Sequence, residues 1–535
     1  MRIGAFYIED KYHRYLYLAS LIFVLFSLPF YRAMSSIGMI VMASNWLLEG
    51  HFREKWQRLK HNPGIWIFSS FYFVGVFSFL YSDNTGQVMK HMQNSLALLA
   101  APLVIGTSRP VSYRDVKILI GAMTIGVVIN SFISYALFTG IIQADISDFR
   151  HYSYFSSNIH VSYIAVMAMI FIYYHVTRKW KILPANERRL MLFLLIWIGI
   201  YVVFLRSLAG LMVLGVTIWV ILFLKSLKWK TYIKIPVMVV LIVGPLTPGV
   251  LLYHIYQENF TDYKVDVSEL PQKTEQGNRY KHNLKNPMIE NGRYVGLFIS
   301  EKELKKSWNH RSSLAYEGKD EKGQPMHMTL KRYLTAKGFR KDASGVKALS
   351  EQDVRNVEKG ITNPVYADKK RFFTSRLYTV AQGLHQYLRT GRPFDSITQR
   401  MEAYPAMIHI ISENFWIGVG RGDIYTAHDE YYAEKFKRPE DFKLVAGHNQ
   451  YLKTMTSFGV IGLAWMLIAV FGSWYIQGGF RYFLSRMILL MLLLTMIPDE
   501  PFEQQRPAIL FGVLLSIVLF RNNVSGTGRI PLHPD

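Results

Sequence analysis

Long apolar runs, separated by short clusters of charge, fill the chain from about residue 15 to 255 and again from 449 to 520. A bilayer core needs roughly 20 consecutive apolar residues per helix. Runs of that kind lie near 15–31, 33–48, 64–81, 93–108, 116–140, 160–176, 190–205, 208–224, 235–255, 449–475, 484–498 and 506–520. The pattern predicts an all-α polytopic membrane protein of about twelve transmembrane helices. Between the ninth and tenth runs a polar block, 257–446, reads as a large mixed extracytoplasmic loop domain. The expected domains are therefore a bundle of helices 1–9 at 1–256, the loop domain at 257–446, and helices 10–12 with a tail at 447–535.

Within the polar block, residues 261–375 carry turn signals at Glu290-Asn291-Gly292, Lys322-Gly323-Gln324 and Lys337-Gly338-Phe339 and read as a compact subdomain. The pattern then turns helical, at 372–388 and again at 396–411. In the second stretch Ile397, Met401, Tyr404, Ile408 and Ile411 recur at helical spacing, Ser396 is the expected cap, and Pro405 is expected to bend the helix.

Charge settles the orientation expected for this layout. With the amino terminus inside, the inner segments hold Arg53, Lys55, Arg58 and Lys60, then Arg109, Arg114 and Lys117, then Arg178 to Arg189, then Lys225 to Lys234. The short outer loops hold single cations, Arg32, Lys90, Arg150, Arg206 and Arg506. The positive-inside rule then places both termini in the cytoplasm and 257–446 in the periplasm of a cell inner membrane. Basic Arg2, Lys11 and Arg14 precede the first run, which reads as a retained anchor because no small-residue cleavage site follows it. Much of the net charge of +23 is accounted for by this loop bias, so no nucleic-acid partner is implied. Cysteine is absent, which removes disulfides, thiolate nucleophiles and thiolate metal sites.

Three positions on the outer side carry candidate chemistry. Arg206 interrupts the apolar stretch 190–224 and marks a tight outer turn. It is either an arginine snorkelling to the interface or an anion-binding group at the mouth of the bundle. Arg400 lies one turn into the amphipathic helix, ahead of the glycine-rich turn Gly418-Val419-Gly420-Arg421-Gly422. A guanidinium suits bidentate phosphate recognition, although taken alone Arg400 reads first as a solvated surface arginine. His448 stands where the polar block meets the tenth run, as an interfacial polar residue or as a general base. His160 opens a run from the outside, and His428-Asp429-Glu430 lacks the i, i+4 spacing of a helical zinc pair. No metal and no other cofactor is expected.

The stretch GHNQYLKTMTSFGVIGL at 447–463 resembles the signature of the O-antigen ligase and polymerase superfamily, a histidine-asparagine-x-tyrosine-leucine motif at the opening of a span. RSLAG at 206–210 is similar to that family's outer turn, with serine after the arginine and leucine at the first glycine position. SITQRMEAYPAMIHIISENFWIGVG at 396–420 resembles its arginine, helix and glycine-rich turn. DEPFEQQRPAILFGVLLSIVLF at 499–520, with ENGRYVGLF and KRYLTAKGFRKDASGV in the insert, looks like a Bacteroidetes-type branch. The resemblance implies glycosyl transfer from an undecaprenyl-diphosphate carrier to an acceptor hydroxyl at the periplasmic face. Lipid A core is the favoured acceptor, with another glycan or a protein hydroxyl as alternatives. It implies His448 as catalytic base and Arg206 and Arg400 as contacts to the donor diphosphate. Asn449, Tyr451, His160, Arg421 and Glu500 are expected in support.

Twelve helices with both termini inside is also a transporter layout, for a lipid-linked glycan or another solute among the membrane lipids. Transporters often show internal repeats and keep their polar residues at mid-membrane. Here no repeat is visible and the polar candidates fall at the outer surface, so the enzyme reading leads.

Overall fold

All twelve apolar runs coincide with helix, as expected where only intrasegment hydrogen bonds can satisfy the backbone in hydrocarbon. The structure is a computed structural model and describes residues 9–144, 152–261, 265–284, 288–367, 372–391, 393, 395–436 and 447–520. Arg2, Arg150 and the tail from 521 onward, all used in the topology argument, lie outside the described residues. Contacts divide the chain into two compact units, Met1–Leu224 with Ala403–Asp535, and Lys225–Glu402.

The first unit begins with α1 (Asp10–Ser27), α2 (Arg32–Glu49), α3 (Phe52–Lys60), α4 (Pro63–Phe77), α5 (Thr85–Ser95) and α6 (Ala97–Thr107). It continues through α7 (Tyr113–Thr139), α8 (Asn158–Lys179), α9 (Ala185–Phe204) and α10 (Leu208–Ser226). The second unit holds α11 (Thr231–Val243), α12 (Thr247–Phe260), the two-stranded ladder β1 (Ile289–Glu290) and β2 (Arg293–Tyr294), α13 (Glu301–Arg311), α14 (Met326–Lys337), α15 (Ala343–Lys347), α16 (Glu351–Glu358) and α17 (Phe372–Thr390). Helix α18 (Ser396–Glu413) runs across the boundary, and α19 (Ile424–Phe436), α20 (Gln450–Leu467), α21 (Ser473–Ile476), α22 (Phe483–Thr495) and α23 (Gln505–Leu519) complete the first unit.

Among the described residues, six stretches are long and apolar enough to cross a membrane, Pro63–Leu80, Arg114–Thr139, Asn158–Lys179, Leu208–Ser226, Thr231–Phe260 and Gln450–Ile476. Phe483–Thr495 and Gln505–Leu519 are apolar but shorter. The other apolar runs fall short of that standard. Their exposed leucines and isoleucines, such as Ile40, Leu48 and Ile196, fit a hydrocarbon solvent. The chain is a multi-pass, all-α membrane protein.

Short as it is, α23 is the centre of the first unit. Phe511, Leu514 and Leu515 are buried against neighbours that include Ala101 and Val104 of α6 and Ile488 and Met491 of α22. Lipid tails are as apolar as leucine, so close packing rather than water exclusion holds such a helix. Gly512 permits that packing: a Cβ there would stand 2.8 Å from the Ala97 carbonyl oxygen of α6.

The second unit is more helical than the mixed domain expected from its sequence. Leu304, Trp308, Leu330, Tyr333, Leu334 and Val357 form its buried core, and the Glu290-Asn291-Gly292 turn joins the two short strands. The two helices read from the pattern at 372–388 and 396–411 are α17 and α18. The cap of α18 is Asp395 rather than Ser396, since its Oδ1 accepts the amide hydrogens of Ile397 at 3.0 Å and Thr398 at 2.8 Å.

Helix α20 is broken from within. Gly459 adopts φ 63° and ψ −168°, a region essentially reserved for glycine. The carbonyl oxygens of Thr456 and Ser457 accept the amides of Val419 (2.9 Å) and Gly420 (3.0 Å), while Val460 N–H donates to the Phe415 carbonyl at 2.8 Å. The segment 414–420 thus satisfies the backbone groups freed by the break, the condition for irregular backbone at such depth. A Cβ on Gly459 would overlap the backbone of Trp416. Gly459→Ala is therefore expected to cost about 1–3 kcal/mol in strain alone and to lower the detergent melting midpoint. An unchanged midpoint would show that the break is not required.

Candidate functional site

The segment between α22 and α23, Asp499-Glu500-Pro501-Phe502-Glu503-Gln504, brings most of the candidate chemistry together. Gln450 fastens it to the start of α20: its amide donates to the Met496 (2.9 Å) and Asp499 (3.0 Å) carbonyls, and its Oε1 accepts the Phe502 amide at 2.9 Å. Each of the three carboxylates then meets a histidine.

His448 Nδ1 lies 3.1 Å from Glu500 Oε1, and the imidazole remains 42% exposed while the carboxylate side chain is only 9% exposed. Glu500 Oε2 is 2.9 Å from Nζ of Lys453, which is fully buried one turn into α20. Burial opposes ionisation of Glu500, but the ammonium of Lys453 and His448 beside it outweigh that cost and hold the carboxyl below the usual carboxylate range. An ionised carboxylate only accepts hydrogen bonds, so the proton of the 3.1 Å contact sits on Nδ1. Nε2, for which the described residues provide no bond, is then the ring nitrogen left to face a substrate.

His160, in the first turn of α8, places Nε2 3.3 Å from Asp499 Oδ2. Burial raises the Asp499 carboxyl and His160 more than offsets it. Asp499 Oδ1 also accepts the Glu500 amide at 2.9 Å and Gln504 Nε2 at 2.7 Å, which fixes the direction of the acidic pair. Glu503 is the most deeply held of the three. Burial opposes its charge, yet Arg421 donates to Oε2 from Nε at 3.0 Å and Nη2 at 2.7 Å, and His91 Nδ1 is 3.1 Å away, so the carboxyl stays far below its ordinary range.

Arg421 itself is 4% exposed, and its amide donates to Ser78 Oγ at 2.7 Å. Its position ties the glycine-rich turn to α4 and to the acidic segment, so it acts on the geometry of the site from behind. Asp423 extends the same anchoring, accepting the amides of Asp83 and Asn84 at 2.9 Å each. Asn449 and Tyr451 are also framework residues. Asn449 Oδ1 caps α20 at the Leu452 amide (3.0 Å) and its Nδ2 donates to the Ile497 carbonyl (3.0 Å), while the Tyr451 hydroxyl donates to the Leu493 carbonyl at 3.1 Å.

Arg206 occupies the tight turn between α9 and α10 with φ 52°, an uncommon conformation for a residue with a Cβ. Its amide donates to the Val203 carbonyl at 3.1 Å, and Asn158 Nδ2 donates to the Leu205 carbonyl at 3.1 Å. Arg400 belongs to the second unit, where its Nη1 donates to the Ser396 carbonyl at 2.8 Å. The structure thus gathers His448, Glu500, His160 and Arg421 around one segment and fixes Asn449 and Tyr451 beside it.

Lys453 and His91 are the partners that sequence reasoning missed. A lysine within an apolar span is itself a signal of function or of a buried partner, and it was available at Lys453 in the tenth run. His91, at the edge of the fourth run, carries no such signal. His428 is 2% exposed, and burial pushes its pKa down to about 4, keeping it neutral.

Residues 365–467 match a family model described as O-antigen ligase. No curated protein matches the sequence.

Proposed function

We propose, from the match of residues 365–467 to the O-antigen ligase family model, that the chain transfers a glycan from undecaprenyl diphosphate to an acceptor hydroxyl at the periplasmic face of the inner membrane. Lipid A core is the acceptor favoured; O-antigen polymerase and protein O-oligosaccharyltransferase are the same chemistry with another acceptor. The observation that carries the reading is the His448–Glu500 contact of 3.1 Å on a part-exposed imidazole. It supports a base whose tautomer is set by a buried carboxylate, as in hydrolytic triads.

In this reading His448 Nε2 takes the proton of the acceptor hydroxyl as its oxygen bonds to the anomeric carbon. The bond from that carbon to the diphosphate oxygen breaks, and undecaprenyl diphosphate leaves with the electron pair. Cations near the departing diphosphate lower the barrier where charge builds up. Arg206 and Arg400 carry over from the resemblance as those cations. Label transfer from a carrier-linked glycan to an acceptor by protein in detergent tests the class, because a transporter has no compartments to work between there. In a deletion strain, free lipid A core with full-length carrier-linked chains identifies a ligase, and single capped repeats a polymerase.

Arg206→Lys and Arg400→Lys are each expected to impair turnover, since a point charge does not reproduce a bidentate fork. The alanine variants are expected to lose about tenfold to a hundredfold, the worth of a charge-assisted contact of roughly 1.5–3 kcal/mol. Wild-type transfer rates in both alanine variants, at normal membrane abundance, would place the diphosphate elsewhere.

A further inference from the structure

At the opposite end of α4 from the Ser78 contact, the first unit carries a slot of about 860 Å³ between α2, α3, α4 and α6. Its walls are apolar and aromatic, with Trp46, Trp56, Trp66, Phe73, Leu99 and Leu103 among them. That volume is at the upper end for small-molecule sites, and a slot with such walls in a membrane protein suits an acyl chain.

Helix α3 forms one lip of the slot and is strongly amphipathic, with Leu59 buried and Arg53 and Lys60 exposed. Four cations lie on this one helix. Lys55 is engaged by Glu49 at 2.8 Å and Arg58 by Glu54 at 3.2 Å. Arg53 and Lys60 have no acidic partner among the described residues. They are seven residues apart, two turns along the same face of the helix. Arg53 lines the slot, and Lys60 Nζ lies 5.5 Å from the ring centre of Trp56, which lines it too.

A second feature points to a ligand that is both apolar and ester-bearing. Ser69 of α4 is 3% exposed and lines the slot, and its hydroxyl has no hydrogen-bond partner. A buried donor of that kind costs free energy unless something accepts from it. The tryptophans that line it are the residue type that settles at the boundary between tails and headgroups.

We propose that this slot binds one anionic glycerophospholipid. An acyl chain lies between α3, α4 and α6, an ester carbonyl accepts from Ser69, and the phosphate meets Arg53 and Lys60. The lipid fastens α3 to the bundle at the end remote from the acidic segment. It is a structural ligand, separate from the proposed donor and acceptor.

Native mass spectrometry of the full chain in detergent, titrated with palmitoyl-oleoyl phosphatidylglycerol, tests this. A single phosphatidylglycerol is expected to bind, with phosphatidylcholine of the same chains about tenfold or more weaker. Arg53→Gln/Lys60→Gln, two exposed positions whose exchange leaves the packing intact, is expected to abolish that preference. Leu99→Trp, which sets an indole into the slot where the acyl chain lies, is expected to weaken binding of both lipids, with an unchanged elution profile confirming the fold. Equal affinity for the two lipids, or an undiminished preference in the double variant, overturns the proposal. So does displacement of phosphatidylglycerol by undecaprenyl phosphate at lower concentration, which would make the slot a polyprenyl site.

Discussion

Exchange of His448 for alanine is expected to lower the rate of glycan transfer by about 10²–10⁴-fold, the usual contribution of a general base, with little change in the amount of folded protein. The second half of that expectation comes from the surroundings of Glu500. The buried carboxylate keeps its 2.9 Å contact with Lys453 when the imidazole is gone, so no charge is left unpaired. His448 is also 42% exposed, and the described structure shows no bond from its ring to any other residue. Glu500→Gln separates positioning from bulk: it keeps the shape, replaces an acceptor-only carboxylate with an amide that can also donate and so no longer fixes the tautomer, and leaves Lys453 without its nearest counter-charge. Transfer is expected to fall about tenfold to a hundredfold there, the worth of one hydrogen bond to a charged group. In the same variant His448 can present Nδ1–H or Nε2–H to substrate, so the pH–rate profile changes shape as well as height. Single-turnover transfer across a pH series in the wild type and both variants measures this. Near-wild-type rates in His448→Ala would remove the imidazole from the reaction and move attention to Asp499.

The helical runs and the tight turn at Arg206 were legible in the sequence because each rests on a local rule: the length of an apolar run, and a cation interrupting one. His448 and Arg400 stood out through a motif resemblance that needs no tertiary information. What remained hidden was pairing. Nothing in the order of residues says that Glu500 meets both His448 and Lys453, or that Glu503 meets Arg421 across 82 positions. Carboxylates between two spans read as ordinary loop polarity until the loop is seen to be buried. The break in α20 was hidden for a related reason. A glycine inside an apolar run passes for a packing residue, and only its φ of 63° and the hydrogen bonds from 415–420 reveal a discontinuity. Helix α3 was missed because six of its nine residues, Phe52–Lys60, are polar and satisfied the loop pattern while the helix buries one narrow face.

Arg421→Ala is expected to be the most damaging change for folding, because it strands a charge rather than removing a contact. Glu503 is 4% exposed, and Arg421 supplies two of its hydrogen bonds, at 3.0 and 2.7 Å. Breaking one side of such a buried pair typically costs about 3–5 kcal/mol, against about 10 kcal/mol for a whole domain's margin. His91 at 3.1 Å is the other basic side chain in contact with Glu503 among the described residues, and Lys453 adds a more distant positive charge. The Glu503 carboxyl is held far below its ordinary range, so its stabilising contribution is fully present above the unfolded value near 4.3. That contribution is lost as pH falls from there toward the folded value. The wild type should therefore lose stability progressively on acidification below about pH 4.3, while Arg421→Ala starts lower at neutral pH and falls less steeply. The double variant Arg421→Met/Glu503→Leu replaces the pair with apolar groups and is expected to recover much of the loss, since a buried pair is worth little more than well-packed side chains. Detergent melting midpoints of the three proteins from neutral pH downward measure all of this. Arg421→Ala melting with wild type at neutral pH would show that Glu503 finds another counter-charge and that the turn at 418–423 is held by Asp423 and the α20 break alone.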